Sequence, residues 1–223
     1  MDATLERTIR DRIEHEKART APPTEAIPVP PIPTARYTDR AFFDLEVERV
    51  FHRTWLFVGH DSEWAERGSY RLFTRSGAPI VIVRGQDGVL RAFYNACRHR
   101  GAPVTREECG VAKRLTCQYH SWSYDTEGRL KAVPDARSFA GLEPDELGLV
   151  PVRCEVWEGW VFVNEDPDAP GLVEFLGPLC EQMRDINGPA MRKVGRQVHR
   201  LDANWKLMVD AILEVYHVRT VHP

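Results

Sequence analysis

Two short stretches limit what this chain can become. NACRHRGAPV (95–104) sets Cys97 and His99 one residue apart, and TCQYHSW (116–122) sets Cys117 and His120 two apart, with seventeen residues between the pairs. Each pair follows a stretch with strand character and sits beside turn-forming residues, so two β-loops can face each other and clasp something between their tips. Two thiolates and two imidazoles suit zinc or an iron–sulfur cluster. The order of the ligands discriminates. Zinc fingers usually carry two cysteines in one arm and two histidines in the other, whereas here each arm supplies one of each. A [2Fe–2S] cluster with two cysteines on one iron and two histidines on the other needs that arrangement, because each loop then reaches both irons. The bland alternative is a set of ordinary buried cysteines and exposed histidines, and it must place four ligand types at this spacing by chance.

The rest of the chain supplies a setting for such loops. Residues 1 to about 20 read as an exposed, charged helix, followed by an arm with six prolines between Pro22 and Pro33. Asp39 looks like the N-cap of a helix running to about residue 53. From Trp55 to about residue 166 the chain turns to short β-branched and aromatic runs broken by glycines, with hairpin signals at 85–88 and 126–128. SYRLFTRSG, APIVIVRG, VLRAFYNA and SWSYDTEGRLKAV belong to this series, and EVWEGWVFVNEDP is expected to add one more strand. Helical signals return at Gly171 and break at Gly188-Pro189. RKVGRQVHRLDA alternates like a strand, and NWKLMVDAILEVYHVRTVHP begins as a strong helix.

Composition narrows the function classes. The net charge of −3 exerts no pull toward nucleic acid or membrane. No apolar run is long enough to span a bilayer. The charged N-terminus lacks the apolar core of a signal peptide, so a cytoplasmic location is the expectation. Five cysteines without an export signal argue against a disulfide framework. Cys109, Cys154 and Cys180 show no partner pattern and are expected to be structural thiols. Arg91, Arg98, Arg100 and Arg106 fall near the paired loops, either as a solvated face with salt bridges or, for some of them, as contacts to an acidic electron-donor protein or a neighbouring subunit.

The last helix carries a second constellation. Asp210, Glu214 and His217 lie at i, i+4 and i+7 and are expected on one face. His222 follows five residues after His217, about 140° further round an ideal helix. Pro223 disfavours the α region at His222, so the helix is expected to end between Val218 and Val221 and let His222 fold back toward His217. Two histidines and a carboxylate on one face of Fe(II) make the facial triad of non-haem oxygenases. Taken alone, the two histidines are a weak signal and read as a satisfied or exposed pair; their place downstream of the paired loops is what favours a metal.

CRHRGA followed by CQYHSW resembles the loop pair of the Rieske non-haem iron oxygenases (aromatic-ring-hydroxylating dioxygenases), in their alpha subunit. NWKLMVDAILEVYHVRTVHP resembles their iron-binding segment. Family members more often have Pro-Tyr-His-Gly where this chain has Gln118-Tyr119-His120-Ser121. The resemblance implies an α+β fold: an antiparallel β Rieske domain flanked by helices (36–166, after an arm at 1–35), then the start of an α+β helix-grip catalytic domain (167–223). It implies a [2Fe–2S] cluster on Cys97, His99, Cys117 and His120, and a mononuclear Fe(II) on His217 and His222. Glu214 matches the acid that links that iron to a Rieske cluster in the adjacent subunit, and Asp210 matches another frequent acidic position. The implied partners are a ferredoxin or NAD(P)H-dependent reductase, O2 and a small organic substrate, in a homotrimer or a multiple of it. The third iron ligand and most of the substrate pocket are expected beyond Pro223. The 223-residue chain is therefore expected to bind the cluster without hydroxylating. The alternatives are a stand-alone electron-transfer module, disfavoured by the segment 204–223, and a structural zinc protein.

Overall fold

The computed structural model describes residues 3–21, 30–139 and 141–221. It divides into two units, 1–36 and 37–223. The first holds α1 (Ala3–Ala18), which has no buried residue and is laced by exposed pairs such as Arg10–Glu6 and Lys17–Glu14. Most of the expected proline arm lies outside the described residues.

A single turn, α2 (Ala35–Thr38), leads to α3 (Arg40–Glu46). The Asp39 carboxylate accepts the Ala41 N–H at 2.8 Å, the cap expected from the sequence. The helix then widens into a π-helical stretch, Val47–Phe51, closed by His52 N–H to Val47 O at 3.0 Å. The helix expected over 39–53 is present, with a change of winding at its second half.

The β domain is built from β1 (Leu56–His60), β2 (Ser69–Phe73), β3 (Ile80–Arg84), β4 (Leu90–Tyr94), β5 (Cys109–Val111), β6 (Arg114–Thr116), β7 (Ser123–Asp125), β8 (Leu130–Ala132), β9 (Pro151–Trp157) and β10 (Trp160–Asn164). Seven of them form an antiparallel sheet in the order β1-β10-β9-β4-β3-β2-β5, and β6-β7-β8 form a second, small sheet. The unbroken apolar run of β3 explains its central place, because both of its faces are buried. Val81 and Val83 enter one core with Phe93, Leu115, Trp122, Tyr124 and the two cysteines Cys97 and Cys117. Ile80 and Ile82 enter another with Trp64, Ala92, Val161 and Val163. Each buried Val, Leu, Ile or Phe among them contributes about 1.5–3 kcal/mol by leaving water. The first core joins the two sheets and carries the paired loops.

Three expectations are corrected. EVWEGWVFVNEDP is a hairpin rather than one strand: Trp157 pairs with Trp160 across Glu158-Gly159, with φ of 48° and 78°. Those angles fit a tight type I′ turn, whose twist suits the flanking strands. Residues 192–203 form no strand. Their alternation finds no neighbouring strand among the described residues, and a strand needs a ladder partner. The stretch from Gly171 breaks into short turns, α4 (Leu172–Leu176) and α5 (Leu179–Gln182), around Gly177-Pro178.

The turn at 158–159 gives a direct test. Glu158→Asn should stabilise the fold by about 0.5–1 kcal/mol, because asparagine tolerates positive φ better. Gly159→Ala should destabilise it by at least about 1–2 kcal/mol, since its methyl would also lie 2.7 Å from His60 Nε2. Urea unfolding followed by circular dichroism measures both.

Candidate metal centre

Loop 1 (95–108) joins β4 to β5, and loop 2 (117–122) joins β6 to β7. The two are closed by the same backbone pattern. In loop 1 the Cys97 N–H donates to Ala102 O and the Gly101 N–H to Cys97 O, both at 2.8 Å. In loop 2 the Cys117 N–H donates to Trp122 O at 2.9 Å and the Ser121 N–H to Cys117 O at 2.8 Å. The fourth residue after each cysteine therefore turns the chain, and it takes positive φ in both loops: 71° at Gly101 and 59° at Ser121. Glycine adopts this freely, whereas a residue with a Cβ is strained by about 1–2 kcal/mol. The departure at Ser121 is thus a matter of backbone strain in the turn.

Loop 1 is longer and is pinned from inside. Buried Asn95 donates from Nδ2 to Thr105 O at 2.9 Å and accepts the Val104 and Thr105 N–H groups at 3.0 and 3.1 Å. Its place directly after a strand gave no hint of this role.

The loops bring all four expected ligands together. The Cys97 and Cys117 side chains are 3% and 2% exposed, deep in the core. His99 is half-buried and His120 exposed, with ring centroids 4.8 Å apart. Trp122 stacks on His99 at 5.0 Å, Phe139 meets both rings edge-on, and Tyr119 leans on His120 at 3.9 Å. The Tyr124 hydroxyl accepts the Arg98 N–H at 3.0 Å and lies 3.3 Å from Cys97 Sγ, so its own proton can be donated to the sulfur. Tyr124 was missed in the sequence; an inward-facing tyrosine in the strand after loop 2 is its only signal.

Burial pushes the Cys97 thiol up, opposed by the Tyr124 hydrogen bond and reinforced by nearby Cys117. Burial and the neighbouring His120 push His99 down. Among the described residues no three His, Cys, Asp or Glu side chains converge on one ion position. The donors fall into a thiol pair and an imidazole pair, a set that fits a [2Fe–2S] cluster.

The second constellation differs from expectation. α6 (Trp205–Leu213) stops before Glu214, whose backbone is extended at φ −118° and ψ 152°. The Glu214 carboxylate accepts the Tyr216 and His217 N–H groups and pairs with His217 Nδ1. It thereby takes up amides at the approach to α7 (Val218–Val221), and the helix breaks earlier than expected. Asp210, Glu214 and His217 therefore do not share a helix face. Glu214 and His217 meet through the turn, with the imidazole pulling the carboxyl below its usual range. Asp210 accepts the Tyr37 hydroxyl at 2.9 Å. His222 lies outside the described residues.

Cys154 is a structural thiol pushed up to about 12 by burial and by Glu155, and Cys180 is half-buried. Cys109 is exposed on the edge strand β5, against the expectation of a structural thiol. Arg91 belongs to the 85–88 hairpin, paired with Asp87 at 2.7 and 2.9 Å. Arg98 and Arg100 are exposed on loop 1.

Residues 54–153 match the Rieske [2Fe-2S] domain, and residues 189–223 match the ring hydroxylating alpha subunit (catalytic domain). The chain is 39% identical over 199 residues to the carnitine monooxygenase oxygenase subunit of Escherichia coli (strain K12), covering 86% of this chain and 52% of that protein. The chain carries a Rieske [2Fe-2S] domain and is similar to Rieske oxygenase alpha subunits. The biphenyl 2,3-dioxygenase subunit alpha of Rhodococcus jostii (strain RHA1) is 36% identical over 190 residues, 82% of this chain and 41% of its own length. The crystal structure of a quaternary ammonium Rieske monooxygenase with L-carnitine superposes with a TM-score of 0.81 at 34% identity, over 86% of this chain and 55% of that one. Naphthalene 1,2-dioxygenase from Rhodococcus sp. gives 0.80 at 34%, over 86% and 45%. The Rieske chain thus spans about half the length of the curated relatives it matches. A Rieske domain implies a [2Fe–2S] cluster, and this family uses a mononuclear Fe(II) at its catalytic site. No described helix is long and apolar enough to cross a membrane.

Ser121→Gly should relieve the turn of loop 2 and stabilise the Rieske domain by about 1 kcal/mol. Thermal unfolding of the cluster-loaded protein reads the change.

Proposed function

We propose that this chain is the Rieske-bearing portion of an oxygenase alpha subunit. Cys97 and Cys117 hold one iron of a [2Fe–2S] cluster, and His99 and His120 hold the other. The observation that carries this reading is the buried thiol pair beside two imidazoles 4.8 Å apart on loops with the same backbone closure. His217 and His222 are two nitrogen ligands of a mononuclear Fe(II). When bound, the cluster supplies single electrons and the Fe(II) supplies the place where O2 meets a small organic substrate, aromatic or related. Rieske proper is assigned to 36–166 and the start of the catalytic domain to 167–223.

The protein's own groups prepare both places. Trp122 and Phe139 fix the His99 ring, and Tyr119 covers one side of His120 while leaving it exposed. An exposed imidazole suits electron exchange with a ferredoxin or reductase, and with the Glu214 carboxylate of a neighbouring copy in a trimeric assembly. Within one chain Glu214 holds His217 by Nδ1, which orients the ring to present Nε2 to a metal.

Reconstitution with iron and sulfide should give a red-brown protein with about two irons per chain. Cys97→Ser and Cys117→Ser should each lose it. A colourless protein that takes up one zinc ion would sink the assignment. Tyr124→Phe should keep the iron content and lower the midpoint potential, because a hydrogen bond to the ligand sulfur is removed. In the complete alpha subunit, His217→Ala should leave reduction of the cluster by its donor intact and abolish O2-dependent hydroxylation. Hydroxylation that survives His217→Ala would remove His217 from the iron site.

A further inference from the structure

α6 should not be stable on its own terms. It has nine residues, no buried side chain, and Ile212 and Leu213 at 74% and 79% exposure. Helices below about 12–15 residues are marginal in water, so its order must come from contacts made elsewhere. Those contacts are concentrated on its first two turns, and they come from the segment that precedes the β domain.

Glu46, at the end of α3, accepts from Lys206 Nζ at 2.6 Å and from Trp205 Nε1 at 3.2 Å. The Lys206 and Glu46 side chains are largely buried, at 19% and 11% exposure. The ammonium also lies over three rings, Tyr37 and Phe42 at 5.4 Å and Trp205 at 5.5 Å, each close enough for cation–π attraction. Phe51, in the π-helical stretch, meets Trp205 edge-on at 5.3 Å. One turn further, the Tyr37 hydroxyl donates to Asp210 at 2.9 Å. Asn204 completes the set by capping the helix through Lys206 N–H.

We propose that Tyr37 and Glu46 are positioning residues: they clasp α6 through Asp210, Lys206 and Trp205, and so fix where the Glu214–His217 turn stands. Asp210 is accordingly the clasp's acceptor. The proposal rests on the reading of His217 as an iron ligand for its functional meaning, while the clasp is tested without that metal.

The test uses the full 223-residue chain loaded with its cluster. Tyr37→Phe, Asp210→Ala, their double variant and Glu46→Gln are compared by amide hydrogen exchange and by 15N-histidine spectra. Cluster absorption serves as the check on folding, and Tyr37→Phe keeps the ring over Lys206. Exchange across 205–213 should speed about 5- to 10-fold in Tyr37→Phe and Asp210→Ala, with the double variant no faster than either single. Glu46→Gln should give a larger increase. In the same variants the His217 signal set by its Nδ1 contact with Glu214 should broaden or shift, while the His99 and His120 signals stay in place. Faster exchange with an unchanged His217 signal would leave the contacts merely structural and overturn the positioning role. Additive effects of Tyr37→Phe and Asp210→Ala, or no effect of either, would overturn the clasp itself. Failure of the iron-ligand reading would show separately, as hydroxylation that survives His217→Ala.

Discussion

Two sulfur atoms set inside the protein govern the rest of the candidate metal centre. Cys97 and Cys117 sit in the same core as Val81, Val83, Phe93, Leu115 and Tyr124. A thiolate there is poorly solvated, and the direction of the Cys97 shift says so. Such a pair is tolerated as neutral thiols or as ligands, and metal binding would drive protons off. The imidazoles lie on the outer side, where His120 reaches solvent. The centre is therefore polarised, with its sulfur end in the core and its nitrogen end toward solvent.

That polarity is produced by backbone geometry. Both loops close with the same two amide bonds; loop 2 then enters β7 at once, whereas loop 1 continues to β5. The sheets then decide what surrounds each ligand. β7 delivers Tyr124 beneath Cys97, and loop 2 delivers Trp122 against His99. The ring of Phe139, from the connection toward β9, closes this aromatic wall.

Much of this was legible in the sequence. The apolar runs and glycine turns mark strands because their side-chain alternation and turn chemistry are local properties. The four ligands are legible because two loops must each supply one thiol and one imidazole. The errors share a different cause. The hairpin at Glu158-Gly159 was hidden because a glutamate takes the positive φ usually left to asparagine or glycine. Residues 192–203 have strand alternation, but pairing depends on a neighbour that local pattern does not encode. α6 reads as long because its apolar spacing continues past Leu213, yet the Glu214 carboxylate competes for the next amides and wins. The contacts of Tyr37 and Glu46 span more than 150 residues of sequence, beyond any local rule.

The two ligand pairs come from different sheets. Loop 1 leaves β4 of the large sheet, and loop 2 lies within the small β6-β7-β8 sheet, which among the described residues shares no ladder with its larger neighbour. A bound cluster would therefore rivet the two sheets together much as a disulfide does, closing the segment from Cys97 to Cys117 and restricting the unfolded chain. Without that rivet, the small sheet is held by side-chain packing and a few hydrogen bonds across the interface. A bound cluster would add to that packing and raise the cost of separating the two sheets.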